Sequence, residues 1–289
     1  MLRDFELEMP ANLQETLSSL PGGTPLAGGT NLLVDLRSRR EAADRLIWLG
    51  NIDNFRDIKI EDEQVTIGGG TTVGDIFRHP KMETAAPSLI DCARVFGGQM
   101  VRNRATLAGN ICSSSPAADA VPPLLSLDAE LYLASATNVR TIALDDFYTG
   151  FKKNRRTEDE LVIALSWPVP AANTANRFYK LARRKGDAIT VAGVAVTVTR
   201  NGDTCTDARI ALGAIAPTVF RAKDAEALLT DCVLTEERID AAARKAMDQA
   251  EPIDDLRASA DYRRDMVGVL TRRLLHQAWQ SLSEKATGQ

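Results

Sequence analysis

Two glycine-rich segments, about eighty residues apart, constrain the fold of this chain more than any other feature. Each adjoins apolar sequence that is typical of a strand, and glycine lets main-chain N–H groups approach a phosphate closely. Two such loops in one domain predict a diphosphate held from two sides, and therefore a nucleotide or dinucleotide cofactor. The candidate residues are Pro25, Leu26, Ala27, Gly28, Gly29, Thr30, Asn31 and Leu32 in the first loop, and Thr106, Leu107, Ala108, Gly109 and Asn110 in the second.

The usual nucleotide-binding fingerprints are absent. In the segment 68–74 (GGGTTVG) the third glycine comes one residue too late for G-x-G-x-x-G, so we interpret it as a tight strand-to-helix turn. The chain has no GxxxxGK[ST] loop, which excludes a P-loop enzyme. For Gly28 and Gly29 a plain strand-to-helix turn remains an alternative on local sequence.

Composition excludes several classes of protein. The 289 residues suffice for two domains or one large domain, with 44% apolar and 26% charged residues. A net charge of -4 argues against a nucleic-acid partner. We find no apolar run of about eighteen residues and no apolar signal core in the acidic N-terminal sequence. We therefore expect no membrane span and a cytoplasmic location.

Cysteine and histidine are too few and too scattered for metal or triad chemistry. The four cysteines form no CxxC pair and match neither a zinc site nor an iron–sulfur cluster, so we expect reduced thiols. His79 precedes a proline and His276 lies in a helical pattern, and neither suits a catalytic triad. We predict no catalytic residue and no metal ligand.

The pattern along the chain predicts an α+β protein of two domains. Short strands alternate with helices up to residue 167, and the proline-rich stretch 168–173 marks a boundary. Beyond it we predict antiparallel strands with a hairpin turn at 201–203, then two helices, the first capped by Thr235. The predicted strands are 177–181, 189–199 and 208–212.

A run of small polar residues follows the second loop and ends at Asp119, before Pro122 and Pro123. Small residues permit the close approach of a flat ring or a ribityl chain. The carboxylate of Asp119 could accept hydrogen bonds from ligand hydroxyls, or it could cap the turn at Ala120. Both interpretations stay open on the sequence.

These residues resemble the FAD-binding subunit of molybdenum hydroxylases, a group that includes the xanthine dehydrogenase and aerobic carbon monoxide dehydrogenase families. The resemblance covers essentially the whole chain, and the combination is specific although each glycine loop alone is weak. It implies a PCMH-type FAD-binding domain at 1–170, with subdomains at about 1–55 and 56–170, and a C-terminal domain at 174–289 with a small antiparallel sheet plus helices. The matching segments are 25–32, 96–98, 106–111, 115–119, 179–189 and 259–275.

The resemblance also implies roles for individual residues. The two loops would wrap the FAD diphosphate, and Asp119 would lie near the ribityl chain and the ring. Phe96 and Val162 match positions that line the flavin or adenine, and Lys180 matches a lysine near the flavin ring. Ile189 falls against the isoalloxazine face, where some relatives carry tyrosine.

The local sequence leaves alternatives for several of these positions. Lys180 could form a surface salt bridge with nearby acidic sequence, and Phe96 could be core packing. Arg102 and Arg104 flank the second loop and could either neutralise phosphate or be solvated.

The resemblance implies one subunit of a larger assembly. A large subunit would hold molybdopterin and a small subunit two [2Fe-2S] clusters, in a dimer of heterotrimers. Electrons would pass from the clusters to FAD and on to an external acceptor. The alternative is a stand-alone FAD-dependent oxidoreductase of the same flavin fold, which would need a proton donor such as Asp187 or the serines at 113–115. The sequence leaves the substrate and the acceptor open.

Overall fold

The computed structural model describes residues 3–287, with side chains up to residue 284. Its first part is a small parallel sheet with two helices, in the strand order β1-β3-β2. The first glycine loop lies between the second strand and the second helix, as the sequence predicted. The elements are β1 (Glu6–Glu8), α1 (Leu13–Ser19), β2 (Thr24–Leu26), α2 (Leu32–Arg37) and β3 (Arg45–Trp48).

An antiparallel sheet and short helices make up residues 58–168. The sheet order is β4-β5-β10-β6-β7, and the second glycine loop forms the start of one of the helices, α7. The elements are β4 (Ile58–Glu61), β5 (Gln64–Gly68), α3 (Val73–Arg78), α4 (Met82–Ala85), α5 (Pro87–Val95), α6 (Gln99–Arg102), α7 (Leu107–Cys112), α8 (Val121–Ser126), β6 (Glu130–Ala134), β7 (Val139–Ala143), a 3-10 turn (Leu144–Asp146), β8 (Tyr148–Gly150), β9 (Lys153–Asn154) and β10 (Leu161–Pro168).

The C-terminal part is an antiparallel sheet covered by two long helices. The strand order is β11-β12-β13-β14, and β15 also pairs with β13. Gly202, with φ of +57°, forms the predicted hairpin turn, and the Thr235 hydroxyl caps α10 as expected. The elements are β11 (Thr174–Ala182), β12 (Thr190–Asn201), β13 (Thr204–Gly213), β14 (Phe220–Arg221), α9 (Lys223–Ala227), β15 (Cys232–Val233), α10 (Glu236–Asp248) and α11 (Ala260–Thr287).

One hydrophobic cluster spans the two parts, beside a second cluster within the C-terminal part. Phe178, Ala195 and Ala211 of the C-terminal sheet are buried in the same cluster as the apolar residues of α5 and α8. α5 packs on β11, and α8 packs on β12 and β13. This architecture confirms the predicted α+β class, whereas the limits 1–170 and 174–289 stay a prediction.

A buried polar network crosses the same interface. The side chain of Asn176 is 2% exposed, and its Oδ1 accepts a hydrogen bond of 2.8 Å from the main-chain N–H of Ser88. Its Nδ2 donates to the hydroxyls of Ser126 and Thr197. Every group of this amide therefore has a partner, as burial of a polar side chain requires.

Candidate functional site

A cleft of about 830 Å³ lies between the glycine loops of the N-terminal part and the edge of the C-terminal sheet. It brings together every site residue predicted from the sequence except Leu107, whose side chain is 1% exposed and packs in the core. The predicted residues that line it are Pro25, Leu26, Ala27, Gly28, Gly29, Thr30, Asn31, Leu32, Phe96, Thr106, Ala108, Gly109, Asn110, Asp119, Val162, Lys180 and Ile189.

The first glycine loop needs each of its glycines for a different reason. A Cβ on Gly28 would lie 1.8 Å from the carbonyl oxygen of Arg104, so only glycine lets the first loop pack against the main chain that leads into the second loop. Gly29 has φ of +72°, which favours glycine over other residues. Between residues 28 and 31 no main-chain N–H donates a hydrogen bond to any residue of 3–287. These N–H groups are therefore available to bind an anion.

Hydrogen bonds to neighbouring segments hold the second loop in place. The Thr106 hydroxyl accepts from the N–H of Gly109 and caps α7, while the N–H of Leu107 donates to the Thr71 carbonyl. Leu107 therefore anchors the loop through its main chain. The side-chain Oδ1 of Asn110 accepts a hydrogen bond from the N–H of Ala120 and ties the loop to the segment that carries the predicted acid.

The GGG segment is a tight turn, as the sequence analysis favoured. The N–H groups of Gly68, Gly69 and Gly70 donate to carbonyls of 57, 163 and 55, so they are used within the fold. Gly69 nevertheless lines the cleft. A side chain there would meet the Val162 carbonyl at 2.3 Å.

Asp119 joins the two parts of the chain at the bottom of the cleft. Its Oδ2 accepts a hydrogen bond of 2.5 Å from Lys180 Nζ, and its Oδ1 accepts from the Thr190 hydroxyl. The side chains of Lys180 and Asp119 are only 4% and 11% exposed. Burial raises the pKa of Asp119 above its ordinary value, although the contacts with Lys180 and Thr190 lower it in part.

Two alternatives from the sequence are wrong for this pair. Lys180 does not form a surface salt bridge with neighbouring sequence, because its partner lies 61 residues away and is buried. Asp119 does not cap the turn at Ala120, because both of its oxygens bind Lys180 and Thr190, which lie in the C-terminal sheet.

Apolar residues form the walls of the cleft. Phe96 and Val162 are 8% and 1% exposed, so core packing and a place in the wall coincide in them. Ile189 is 63% exposed and stands at the mouth. Its aliphatic side chain offers van der Waals contact to a flat ring without aromatic stacking.

The arginines beside the second loop contact neighbouring parts of the fold. The guanidinium of Arg102 donates to the carbonyls of Phe96 and Gly97, and that of Arg104 lies 5.4 Å from the centre of the Trp48 ring. Arg104 is exposed, in keeping with solvation, and contact of either arginine with a phosphate stays a prediction.

Lys152 and Arg156 are cleft residues that the sequence analysis missed. Arg156 is held by its own segment, since its guanidinium donates to the carbonyls of Thr157 and Glu160. The sequence showed them only as part of a short basic run, and no local signal places such a run over a cleft.

Comparison with known proteins shows which family the chain belongs to. A family profile described as the FAD binding domain in molybdopterin dehydrogenase matches residues 3–170, and one described as the CO dehydrogenase flavoprotein C-terminal domain matches residues 177–278. The chain is an FAD-binding subunit of the molybdenum hydroxylase family. The resemblance found in the sequence is thus confirmed, as is the assignment to oxidoreductases.

Relatives of this FAD-binding subunit match it over nearly their whole length. The carbon monoxide dehydrogenase medium chain of Hydrogenophaga pseudoflava is 32% identical, covering 95% of this chain and 97% of the relative. The nicotinate dehydrogenase FAD-subunit of Eubacterium barkeri is 32% identical over 94% and 95%. The xanthine dehydrogenase FAD-binding subunit of Escherichia coli O157:H7 is 28% identical over 91% and 90%.

Solved structures show the same fold. A carbon monoxide dehydrogenase structure from Hydrogenophaga pseudoflava superposes with a TM-score of 0.94 at 33% identity, covering 97% of this chain and 99% of that one. A quinoline 2-oxidoreductase from Pseudomonas putida 86 reaches a TM-score of 0.91 at 29% identity, covering 98% and 99%.

The cleft of this FAD-binding subunit offers the kind of donor groups that FAD, the cofactor named in the family description, requires. The N–H groups of residues 28–31 have no protein partner within 3–287, and a diphosphate needs such donors. Within the same range no group of three or more His, Cys, Asp or Glu side chains could hold a metal ion. None of the helices described is long and apolar enough to cross a membrane.

Proposed function

We propose that this subunit takes electrons from [2Fe-2S] clusters of a partner subunit and passes them through its FAD to an external acceptor. One observation carries the proposal. A single cleft collects both glycine loops and the Asp119–Lys180 pair, in a chain whose fold follows that of a carbon monoxide dehydrogenase chain over 97% of its length. FAD supplies the step between one-electron delivery and two-electron exit.

We propose that the FAD lies in this cleft, with its diphosphate between the two glycine loops. The free N–H groups of 28–31 and the N–H of Ala108, which has no partner within 3–287, supply donors from the two sides. Phe96 and Val162 would cover an apolar part of the cofactor, and Ile189 would lie against the ring face.

Asp119 and Lys180 supply a fixed polar end to this site. Lys180 is held by its ion pair, so its positive charge stays at one place near the proposed ring position. A fixed cation there favours negative charge on a reduced ring. No histidine lines the cleft, and the residues act by orienting and covering the cofactor.

The proposed assembly has two further subunits. The large one would hold molybdopterin and the small one two [2Fe-2S] clusters, and two such trimers would associate. The support is that the relatives include carbon monoxide dehydrogenase medium chains and that one matched structure is a Cu,Mo-CO dehydrogenase. The cytoplasm is the proposed compartment, in keeping with four free cysteines.

Purification of the native complex through a tag on this chain tests the proposal. We expect FAD, molybdenum and [2Fe-2S] clusters to co-purify, with equimolar molybdenum and FAD. Anaerobic stopped-flow spectroscopy with a chemical reductant of the clusters should show cluster bleaching before flavin bleaching. A chain that purifies alone with FAD and oxidises its own substrate without molybdenum or iron would contradict the proposal and indicate a stand-alone oxidoreductase.

A further inference from the structure

A buried arginine outside the cleft connects two strand ends of the C-terminal sheet. Arg263 lies in the first turn of α11, and its side chain is 1% exposed. One terminal nitrogen, Nη1, donates to the carbonyls of Val191 at 2.8 Å and Ala214 at 3.1 Å. The other, Nη2, pairs with Asp255 Oδ1 at 2.6 Å.

Both carbonyls sit where the sheet ladder is interrupted. Leu181 and Ala182 of β11 pair with Ala192 and Thr190 of β12. Val191, between these two partners, is therefore the extra residue of a β-bulge. On the other side the β12–β13 ladder stops at Gly213, immediately before Ala214. The guanidinium takes the place of the missing ladder contacts, which buried carbonyls require.

Each of these strand ends leads to the segment that carries Asp119. Val191 follows Thr190, whose hydroxyl donates to Asp119. Ala214 donates its N–H to the Pro116 carbonyl at 2.7 Å and holds φ of +63°, a conformation that alanine rarely adopts. A β-bulge that re-aims a side chain beside a binding site is a recurrent device.

We propose that Arg263 is a positioning residue for the FAD site. By fixing the carbonyls of Val191 and Ala214 it sets the place of the Thr190 hydroxyl and of the Pro116 carbonyl, and through them the place of Asp119. The proposal rests on the cleft being the FAD site. It predicts an effect on the cofactor from a residue that does not line the cleft.

The fork of arginine matters for this role. Two terminal nitrogens serve three acceptors on β12, on the residue after β13 and on Asp255, which a single ammonium group cannot reach together. Asp255 is itself held by Arg257, whose hydrogen bonds lower the pKa of this carboxyl far below its usual range. Both members of the Arg263–Asp255 ion pair are therefore held by further hydrogen bonds.

The test compares Arg263→Lys with Arg264→Lys in the full chain freed of FAD. Arg264 is the matched control, because it follows Arg263 in α11 but is 39% exposed and, among the residues described, forms its ion pair with Asp261 alone. We expect Arg263→Lys to raise the Kd for added FAD by roughly tenfold, within the range known for residues without ligand contact, and to alter the flavin absorption spectrum. Arg264→Lys should leave both unchanged. If Arg263→Lys does not fold, Asp255→Asn takes its place.

A double-mutant cycle with Thr190→Val separates a positioning role from a merely structural one. If Arg263 acts through Thr190, the two substitutions together should weaken FAD binding by less than the product of their single effects. Independent effects in this cycle and in a second cycle with Asp119→Asn, the residue on which both routes converge, would overturn the proposal, as would a lower Tm with unchanged Kd and spectrum. The failure of the FAD site itself gives a different result, since Thr190→Val would then leave the Kd unchanged as well.

Discussion

Asp119 of the N-terminal part and Lys180 of the C-terminal sheet form a buried ion pair, with 2.5 Å between Oδ2 and Nζ. Removing one partner of a buried pair leaves an uncompensated charge, whereas replacing both can be nearly neutral. The pair is therefore poor evidence for stability as such. Its position in the cleft fits a role in holding the Lys180 ammonium group and the Asp119 carboxylate at a fixed place.

We expect Lys180→Met to lower the free energy of unfolding of the FAD-free chain by about 3–5 kcal/mol near neutral pH. The loss should shrink at low pH. Burial raises the pKa of Asp119, and the variant lacks the Lys180 charge that lowers it in part. The protonated carboxyl is therefore tolerated in the fold at low pH, and the stability that this protonation provides is lost as the pH rises through the folded pKa. Urea unfolding at pH 5 and pH 8 measures the difference. The double variant Asp119→Asn with Lys180→Met should recover most of the loss, and equal losses at both pH values without recovery would contradict this account.

Glu160 should make the chain sensitive to acid. Its carboxylate accepts hydrogen bonds from Arg140, at 2.5 and 2.8 Å, and the pKa of Glu160 is lowered to about 2. The stabilisation is complete above the unfolded pKa of about 4.5 and is lost as the pH falls from there towards 2. Glu160→Gln should be less stable than the parent at pH 6 and show a flatter decline of unfolding free energy between pH 5 and 3. Exposed Glu158→Gln is the control, and an equal effect from it would count against the assignment.

Gly28→Ala should separate the two glycine loops. A Cβ placed 1.8 Å from the Arg104 carbonyl forces the main chains apart, and such overpacking costs about 1–3 kcal/mol. We expect a rise in the Kd for FAD of about tenfold, which corresponds to 1.4 kcal/mol, measured by fluorescence titration of the FAD-free chain. Gly186→Ala has open space around its Cβ and should bind FAD like the parent. Unchanged affinity in Gly28→Ala would place the cofactor elsewhere.

Asn176→Ala should weaken the interface between the two parts. It leaves the buried Ser88 N–H unsatisfied, which costs about 1–3 kcal/mol, whereas the hydroxyls of Ser126 and Thr197 keep their bonds to the carbonyls of Pro123 and Ser126. Thermal unfolding should show a Tm lower by several degrees. Asn173→Ala removes one exposed hydrogen bond to the Arg200 carbonyl and should change the Tm little. A similar Tm for both variants would show that the network contributes nothing specific.

The local requirements of the cofactor loops were readable from the sequence. Gly28 and Gly29 are needed by close approach and by a positive φ, and such demands leave a mark at single positions. Hydrophobic spacing and the Thr235 cap likewise placed three strands and the two long helices of the C-terminal part. The resemblance to a family added Asp119 and Lys180 as separate residues.

The contacts between distant elements were not readable. Nothing local tells that Lys180 meets Asp119 across 61 residues, or that Arg263 reaches two strand ends 72 and 49 residues away. For Arg102 and Arg104 the sequence left phosphate contact and solvation open, because proximity in sequence to a loop was the only guide. Their real partners depend on how the loop folds back.

The shared hydrophobic cluster has a consequence for anyone who exchanges domains within this family. A cut at 168–173 respects the chain order but not the packing, because α5 and α8 lie before it and pack against the sheet that follows it. A chimera made at that junction would set Asn176 against foreign partners for its amide. α5 and α8 also share their cluster with strands of the N-terminal sheet, so a functional exchange has to carry both sides of this interface and not be cut at the linker.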